Sequence, residues 1–209
     1  MTNMANSAGT AVSVPETITR EYIESVFTNE LALIHNDFMK EIVVNTLLAV
    51  PKQFWIAPAS SSGKYHSADE CAQMGLILHT KRVCKCANFL AQDPEYWDEM
   101  KENNYIPYDG LIASAILHDC VKSGRTWGAY TVSDHPKLAA ELVIEVNGNT
   151  PFTQSIAKTI KTHMGWKWGD RIWGNPQDAP KTLCQKLLHK ADMMASRKYN
   201  YIDVSNMEV

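Results

Sequence analysis

The sequence predicts an all-α protein, folded as a single-domain bundle of helices. Apolar residues recur at helical spacing in several long segments, and prolines, glycines and asparagines separate these segments. No segment shows the alternation of apolar and polar residues that is typical of a half-buried strand. The 209 residues, of which 45% are hydrophobic and 21% charged, have the composition of an ordinary soluble globular protein and suffice for one substantial core.

The start of the chain and its cysteines indicate a cellular compartment. Residues 1–14 are small and polar and lack the regions of a signal peptide, so we predict a disordered tail followed by one domain over residues 15–209. No apolar run approaches the ~20 residues that span a bilayer, so no membrane association is expected. The five cysteines are scattered, which favours reduced thiols in a cytoplasmic protein. Cys84 and Cys86 have the wrong spacing for a zinc knuckle and are predicted to be helix residues.

Two packing helices and a loop are predicted in the first third of the chain. The helices lie within residues 15–49, where Asn36 supplies a cap for the second and Pro51 stops it. A loop rich in serine and proline follows over residues 54–69 and carries His66. Its composition fits a segment that lines a functional site and fits a polar surface loop equally well.

The next predicted helix, over residues 72–91, places a histidine among apolar residues. His79 shares one face of this helix with Val83 and Leu90. A single histidine on such a face is usually a core residue whose ring has found a hydrogen-bond partner. His79 therefore becomes a candidate ligand only in combination with other polar residues that point inward.

A pair of adjacent polar residues ends the most apolar helix of the chain. An acidic and aromatic surface excursion is predicted over residues 93–109, and the helix begins at Leu111. It ends in His118 and Asp119, which continue the face that the preceding turns bury, with Lys122 three residues beyond. A buried imidazole beside a buried carboxylate is unfavourable unless each has a strong partner, and a metal ion satisfies both.

Three more inward-facing polar residues are predicted in the last three helices. Pro136 marks a first helical turn, which places His135 at the mouth of its helix. The following helix begins with a Thr-Pro pair and carries His163 on its apolar face. In the last helix, about residues 181–199, Asp192 lies in register with apolar residues, and an aspartate is rare on a buried face without a partner.

Together these positions form a candidate metal centre. Each residue alone is readily explained as an ordinary core or surface residue, but the combination on separate helices of one bundle is not. Nitrogen and oxygen ligands in this mixture suit Mn, Fe, Co, Ni or Zn, and a carboxylate is able to bridge two ions. The candidate ligands are His79, His118, Asp119, His135, His163 and Asp192.

The order His79, His118-Asp119 and Asp192 resembles the defining pattern of the HD-domain superfamily of metal-dependent phosphohydrolases. Lys122 matches the lysine of that family's frequent His-Asp-x-Gly-Lys form, although Val121 stands where glycine is common. The resemblance covers about residues 42–198 and implies a helical bundle of the HD-domain type. An upstream part is similar to HD-type 3′→5′ exoribonucleases and relaxase-associated HD domains, on the residues Pro58-Ala59-Ser60, His66 and Gly75-Leu76-Ile77-Leu78-His79-Thr80.

The resemblance implies a binuclear centre, because family members with two further histidines before the last aspartate hold two ions. One ion would be bound by His79, His118, Asp119 and Asp192. The other would be bound by Asp119, His135 and His163, with Asp119 bridging. A hydroxide between the two ions would then attack phosphorus in line. The candidate catalytic residues are Asp119, Lys122 and His66, and the candidate substrate contacts are Lys122, Arg125, His66 and Trp166.

The predicted function is hydrolysis of a phosphoester bond in a nucleotide, either a monoester or a short or cyclic oligonucleotide. The net charge of −3 argues against capture of long nucleic acid. Two alternatives stay open. Some HD proteins with six similar ligands are mixed-valent di-iron oxygenases, and a degenerate HD domain would serve only as a binding module. The metal, the base and the oligomeric state are not predicted.

Overall fold

A computed structural model describes residues 14–60, 63, 66–168, 171–172, 176–198, 200 and 202–204. Within these residues the protein is a bundle of eight α-helices with one small hairpin, so the predicted all-α class is confirmed. The helices are α1 (Arg20–Val26), α2 (Thr28–Ala32), α3 (Asp37–Leu48), α4 (Gly75–Ala91), α5 (Trp97–Leu117), α6 (His135–Asn147), α7 (Pro151–Lys161) and α8 (Leu183–Ala195). The antiparallel strands of the hairpin are β1 (Lys167–Trp168) and β2 (Arg171–Ile172).

Side-chain caps set several of the helix starts, as the sequence indicates. The Asn36 side chain accepts a hydrogen bond from the Met39 N–H at the start of α3. Thr150 and Thr153 form a reciprocal capping box at the start of α7, which has proline in its first turn. The last helix, α8, is shorter than predicted, because a capping box at Thr182 starts it and the chain leaves the helix after Ala195.

The helix α5 is kinked into two arms. Residues Glu102 to Tyr105 are non-helical, and the last three of them have positive φ. The first arm lies within the predicted acidic excursion. The second contains the predicted apolar helix but begins earlier, because Tyr108 and Asp109, which were predicted to lie on the surface, are buried in it. Asp109 of the second arm is fully buried and accepts hydrogen bonds from the backbone N–H groups of His35 and Asn36. This carboxylate fixes the start of α3 against the centre of the bundle.

The second arm of α5 is the central element of the core. Leu111, Ile112, Ala115 and Ile116 are all fully buried, and α5 packs against α3, α4, α7 and α8. The helix α6 packs against α3 and α7. Because α5 ends inside this ring of helices, the residues that follow it are surrounded by protein on several sides. Residues 1–13 of the predicted tail lie outside the described part of the chain, and Val14 packs against the core.

The described helices and the cysteines agree with the sequence predictions. Among the described residues, none of the helices is both long enough and apolar enough to cross a bilayer. Cys84 and Cys86 are buried helix residues of α4, as predicted, and all five cysteines are free thiols. Burial raises the pKa of Cys86 to about 11 and that of Cys120 to about 12, so both thiols are neutral at pH 7.

The start of α4 depends on a close backbone approach. The helix begins at Gly75, three residues later than predicted, after a 3₁₀ turn at Asp69–Cys71 and a left-handed Met74 with φ of 62°. A Cβ atom on Gly75 would lie 1.9 Å from the carbonyl oxygen of Glu70. Only glycine therefore allows the segment that contains Glu70 to pack against the first turn of α4.

We predict that Gly75→Ala destabilises the protein by about 1–3 kcal/mol, because the added methyl group displaces the Glu70 backbone. Alanine normally stabilises a helix relative to glycine, so the sign of the effect is informative. Gly110→Ala in α5 is the control. A Cβ atom added at Gly110 would have the Ser155 hydroxyl oxygen as its nearest neighbour, at a distance of 4.0 Å. Urea denaturation measures both, and a Gly75→Ala protein as stable as the wild type would contradict the packing described.

Candidate metal centre

The six predicted ligands meet in one buried cluster. Each is at most 7% exposed. Three sit within or at the start of helices and three lie just beyond helix ends, so five helices contribute to the cluster. They are His79 on α4, His118 and Asp119 at the end of α5, His135 at the start of α6, His163 after α7 and Asp192 on α8.

Asp119 lies at the middle of this cluster. Its Oδ1 atom is 3.1 Å from Nε2 of His135 and 3.6 Å from Nε2 of His163. Its Oδ2 atom is 3.4 Å from Nε2 of His118 and 3.8 Å from Nε2 of His79. The two carboxylate oxygens therefore face two different pairs of histidines. This is the arrangement that a carboxylate shared by two ions requires.

Asp192 completes one of the two sets. Its Oδ1 atom is 3.2 Å from Nε2 of His79 and 4.0 Å from Nε2 of His118. Potential ligand atoms of His79, His118 and Asp119 lie within 4.8 Å of one another, and so do those of Asp119, His135 and His163. A third group of atoms within the same distance comes from His118, His163 and Asp192, so the six side chains form one continuous cluster.

Backbone carbonyl groups orient three of the four histidines. The Nδ1 atoms of His118, His135 and His163 lie 2.8, 2.7 and 2.8 Å from the carbonyl oxygens of the residues three positions earlier. A carbonyl oxygen only accepts, so each Nδ1 carries the proton and each neutral ring presents the Nε2 lone pair to the cluster. Two of these carbonyls also accept from a backbone N–H in the same turn, that of Val132 from His135 at 3.3 Å and that of Ile160 from His163 at 3.1 Å. All three acceptors thus lie at helix ends, where the regular backbone ladder stops.

Several polar atoms of the cluster have no hydrogen-bond partner among the described residues. Nε2 of His79, Nε2 of His118 and Oδ1 of Asp119 are buried without a hydrogen-bond partner. Nε2 of His135 lies 3.3 Å from Nε2 of His163, although in this tautomer neither atom carries a proton. Unsatisfied buried acceptors and facing lone pairs are unfavourable. A divalent cation removes both costs, so the donor set fits transition-metal ions.

The electrostatics of the cluster favour its anionic carboxylates. Burial alone would raise the pKa of Asp119, but the Lys122 ammonium opposes this effect and the pKa lies well below its usual range. Burial would likewise disfavour a charged His79, yet the carboxylates of Asp192 and Glu70 beside its ring raise the pKa of His79 to about 9. A cation that binds His79 therefore displaces a proton at neutral pH.

The model of the HD-domain family matches residues 76–196, which is more than half of the chain and contains all six of these side chains. The chain belongs to the HD-domain family. Members of this family bind divalent metals and are mostly metal-dependent hydrolases. Searches of curated proteins and of solved structures gave no significant match.

Two of the predicted catalytic residues of this HD domain lie against the cluster. Nζ of Lys122 is 2.7 Å from Oδ2 of Asp119, and the lysine side chain is 14% exposed. The ring of His66 packs edge-on against His79 with 4.9 Å between ring centroids. His66 is mostly buried, and burial lowers its pKa.

The other two predicted substrate contacts have different surroundings. Arg125 donates to Oε2 of Glu145 on α6 at 3.0 Å and is one-third exposed. This contact leads to the surface of α6 and not to the candidate metal ligands. Trp166 is half-buried and follows Gly165, whose φ is 64°, directly after the turn that carries His163.

The structure adds three residues that the sequence analysis missed. Glu70 is fully buried beside His66 and His79, and Arg82 is 3% exposed and pairs with Glu70. Nδ1 of His189 on α8 lies 2.6 Å from the carbonyl oxygen of His163 and so fixes the turn that presents this ligand. A charged residue three positions after His79 on the same helix was the available signal for Arg82.

Proposed function

We propose that this HD domain hydrolyses a phosphoester bond of a nucleotide with two divalent ions. The observation that carries the proposal is the position of Asp119, whose two oxygens face separate pairs of histidine Nε2 atoms. His79, His118 and Asp192 would complete one ion site, and His135 and His163 the other. When bound, such ions lower the pKa of water and polarise a phosphoryl oxygen.

Lys122 is proposed to bind the phosphoryl group. Its ammonium has three donors, and the Asp119 carboxylate takes one of them. The remaining donors lie at the edge of the ligand cluster, where a phosphate would bring negative charge. Asp119 also raises the pKa of Lys122 despite burial, so the side chain stays cationic at neutral pH. A cation held in place beforehand stabilises charge that develops during the reaction.

His66 is proposed to contact the substrate or to protonate the leaving group. Its Nδ1 atom lies 2.6 Å from Oε2 of Glu70, which fixes the ring. The ring packs against the ligand His79, so it is within reach of a group bound at the ions. Geometry of this kind is the first requirement for a general acid.

A small nucleotide is the proposed substrate class. Trp166 follows the His163 turn and is proposed to stack on a base. Arg125 would contact an outer phosphate of the substrate after its guanidinium releases the Glu145 carboxylate. The net charge of −3 favours a small substrate over long nucleic acid. The same six ligands would also support oxygen chemistry at a di-iron centre, but the fixed ammonium of Lys122 favours a phosphate.

The expected result for this function is nucleotide hydrolysis by the Mn²⁺-loaded protein under strict anaerobiosis, because water is the only co-reactant. A panel of nucleoside monophosphates and short and cyclic oligonucleotides, run in ¹⁸O-water, should yield phosphate or nucleotide that carries the label. Asp119→Asn is the inactive control. A protein silent across this panel that consumes O₂ when loaded with iron would instead support the oxygenase alternative.

A second expectation concerns Lys122. Lys122→Met should lower kcat by roughly 10²–10³ through loss of one charge-stabilising contact. It should keep or strengthen metal binding, because a cation is removed from beside the ligands. Arg125→Met is the matched comparison and should have the smaller effect, since its guanidinium is shared with Glu145. Steady-state kinetics and metal analysis test this, and a Lys122→Met protein that loses its metal would show that Lys122 is structural.

A further inference from the structure

One of the four histidine ligands lacks the backbone acceptor that orients the other three. His79 lies in the second turn of α4, where neighbouring carbonyl groups are engaged in the helical ladder. Its Nδ1 atom is buried and has no hydrogen-bond partner at standard geometry among the described residues. The facing carboxylate is that of Glu70, whose Oε2 atom is 3.5 Å away.

The Glu70 carboxylate is itself held in one orientation. Its Oε1 atom accepts from Nη1 of Arg82 at 2.8 Å, and its Oε2 atom faces the Nδ1 atoms of both His66 and His79. The Arg82 guanidinium is fixed in turn by Asp69 at 2.5 Å and by the Ser67 hydroxyl at 2.7 Å. One oxygen of Glu70 is thus committed to an arginine and the other to two imidazoles.

We propose that Glu70 is a positioning residue that keeps the Nδ1 proton on His79 and on His66, so that Nε2 of His79 faces the ions. The functional consequence rests on the proposed two-ion centre. Histidine ligands commonly donate their second ring N–H to a carboxylate or a carbonyl group, which fixes the tautomer and the ring orientation. Three ligands here use a carbonyl, and Glu70 serves the one that sits mid-helix.

Arg82 is the reason that Glu70 orients a ligand and does not become one. Ligand atoms of His66, Glu70 and His79 lie within 4.8 Å of one another, which by distance alone would fit a further cation. The guanidinium, however, lies 2.8 Å from Oε1 of Glu70, so it already compensates the charge of Glu70 and would repel another cation bound there. Because Oε1 of Glu70 accepts from Arg82, only Oε2 faces the two histidines.

Glu70→Gln tests this role sharply. Arg82 only donates, so the amide oxygen must face Arg82 and the amide N–H₂ must face the two histidines. The amide then donates to Nδ1 and moves the ring proton to Nε2, the atom that has to bind the ion. We expect a 10- to 100-fold loss of Co²⁺ affinity by isothermal titration and an altered Co²⁺ absorption spectrum.

Asp69→Asn is the matched control. It makes the same chemical change in the neighbouring residue and weakens the contact to the same arginine. Asp69, however, is about half exposed, and its carboxylate accepts from Arg82, from Ser67 and from the backbone N–H of Glu70. Its Co²⁺ affinity should stay within about threefold of the wild type, and circular dichroism should show native helix content in both variants. Equal affinity in wild type and Glu70→Gln would overturn the proposal.

A second readout needs no metal and no hydrolysis. Ring ¹⁵N shifts of the metal-free protein, recorded at a pH above 9 so that the His79 ring is neutral, should show a protonated Nδ1 on His79 in the wild type and an unprotonated one in Glu70→Gln. A wild-type His79 with an unprotonated Nδ1 overturns the inference even if the variant does not fold. Failure of the proposed function would give a different result. The wild-type protein would then hydrolyse no nucleotide, but the difference in Co²⁺ affinity and the ¹⁵N shifts would still be those expected from the role of Glu70.

Discussion

The burial of the Asp119 carboxylate is the constraint on which the site depends. A carboxylate that is 3% exposed requires compensating charge or donors, and this one is surrounded by four imidazoles and one ammonium. Three of those imidazoles present lone pairs and not protons, so they do not compensate its charge. Cations bound between the carboxylate and the rings would resolve the conflict, and both oxygens of this one residue face histidine rings that could hold them.

Helix termination is what builds the site. The backbone leaves the regular ladder at helix ends, and the tautomers of His118, His135 and His163 are fixed by carbonyl groups of these turns. The mid-helix ligand His79 needs a side-chain acceptor instead, and the close approach at Gly75 brings Glu70 to it. The same approach places His66 against His79, so one glycine contact supports a candidate metal ligand and a proposed catalytic residue.

Helical periodicity explains how much of this was predictable from the sequence. It identified His79 and Asp192 as inward-facing, and the order of the ligands along the chain indicated the family. It could not predict Glu70, because a residue in an irregular loop has no periodicity and its position depends on the Gly75 contact. Helical periodicity also could not predict the three positive-φ residues that kink α5 or the short β1–β2 hairpin, because only tertiary packing selects these features.

The central claim is that Asp119 is shared by two ions, and electron paramagnetic resonance of the Mn²⁺-saturated protein tests it most directly. Two Mn²⁺ ions about 3.5–4 Å apart across a bridging carboxylate are exchange-coupled. The account predicts a coupled dinuclear spectrum in the wild type and an isolated six-line Mn²⁺ spectrum in His135→Ala, which keeps only the site of His79, His118 and Asp192. An isolated six-line spectrum in the saturated wild type would contradict the account.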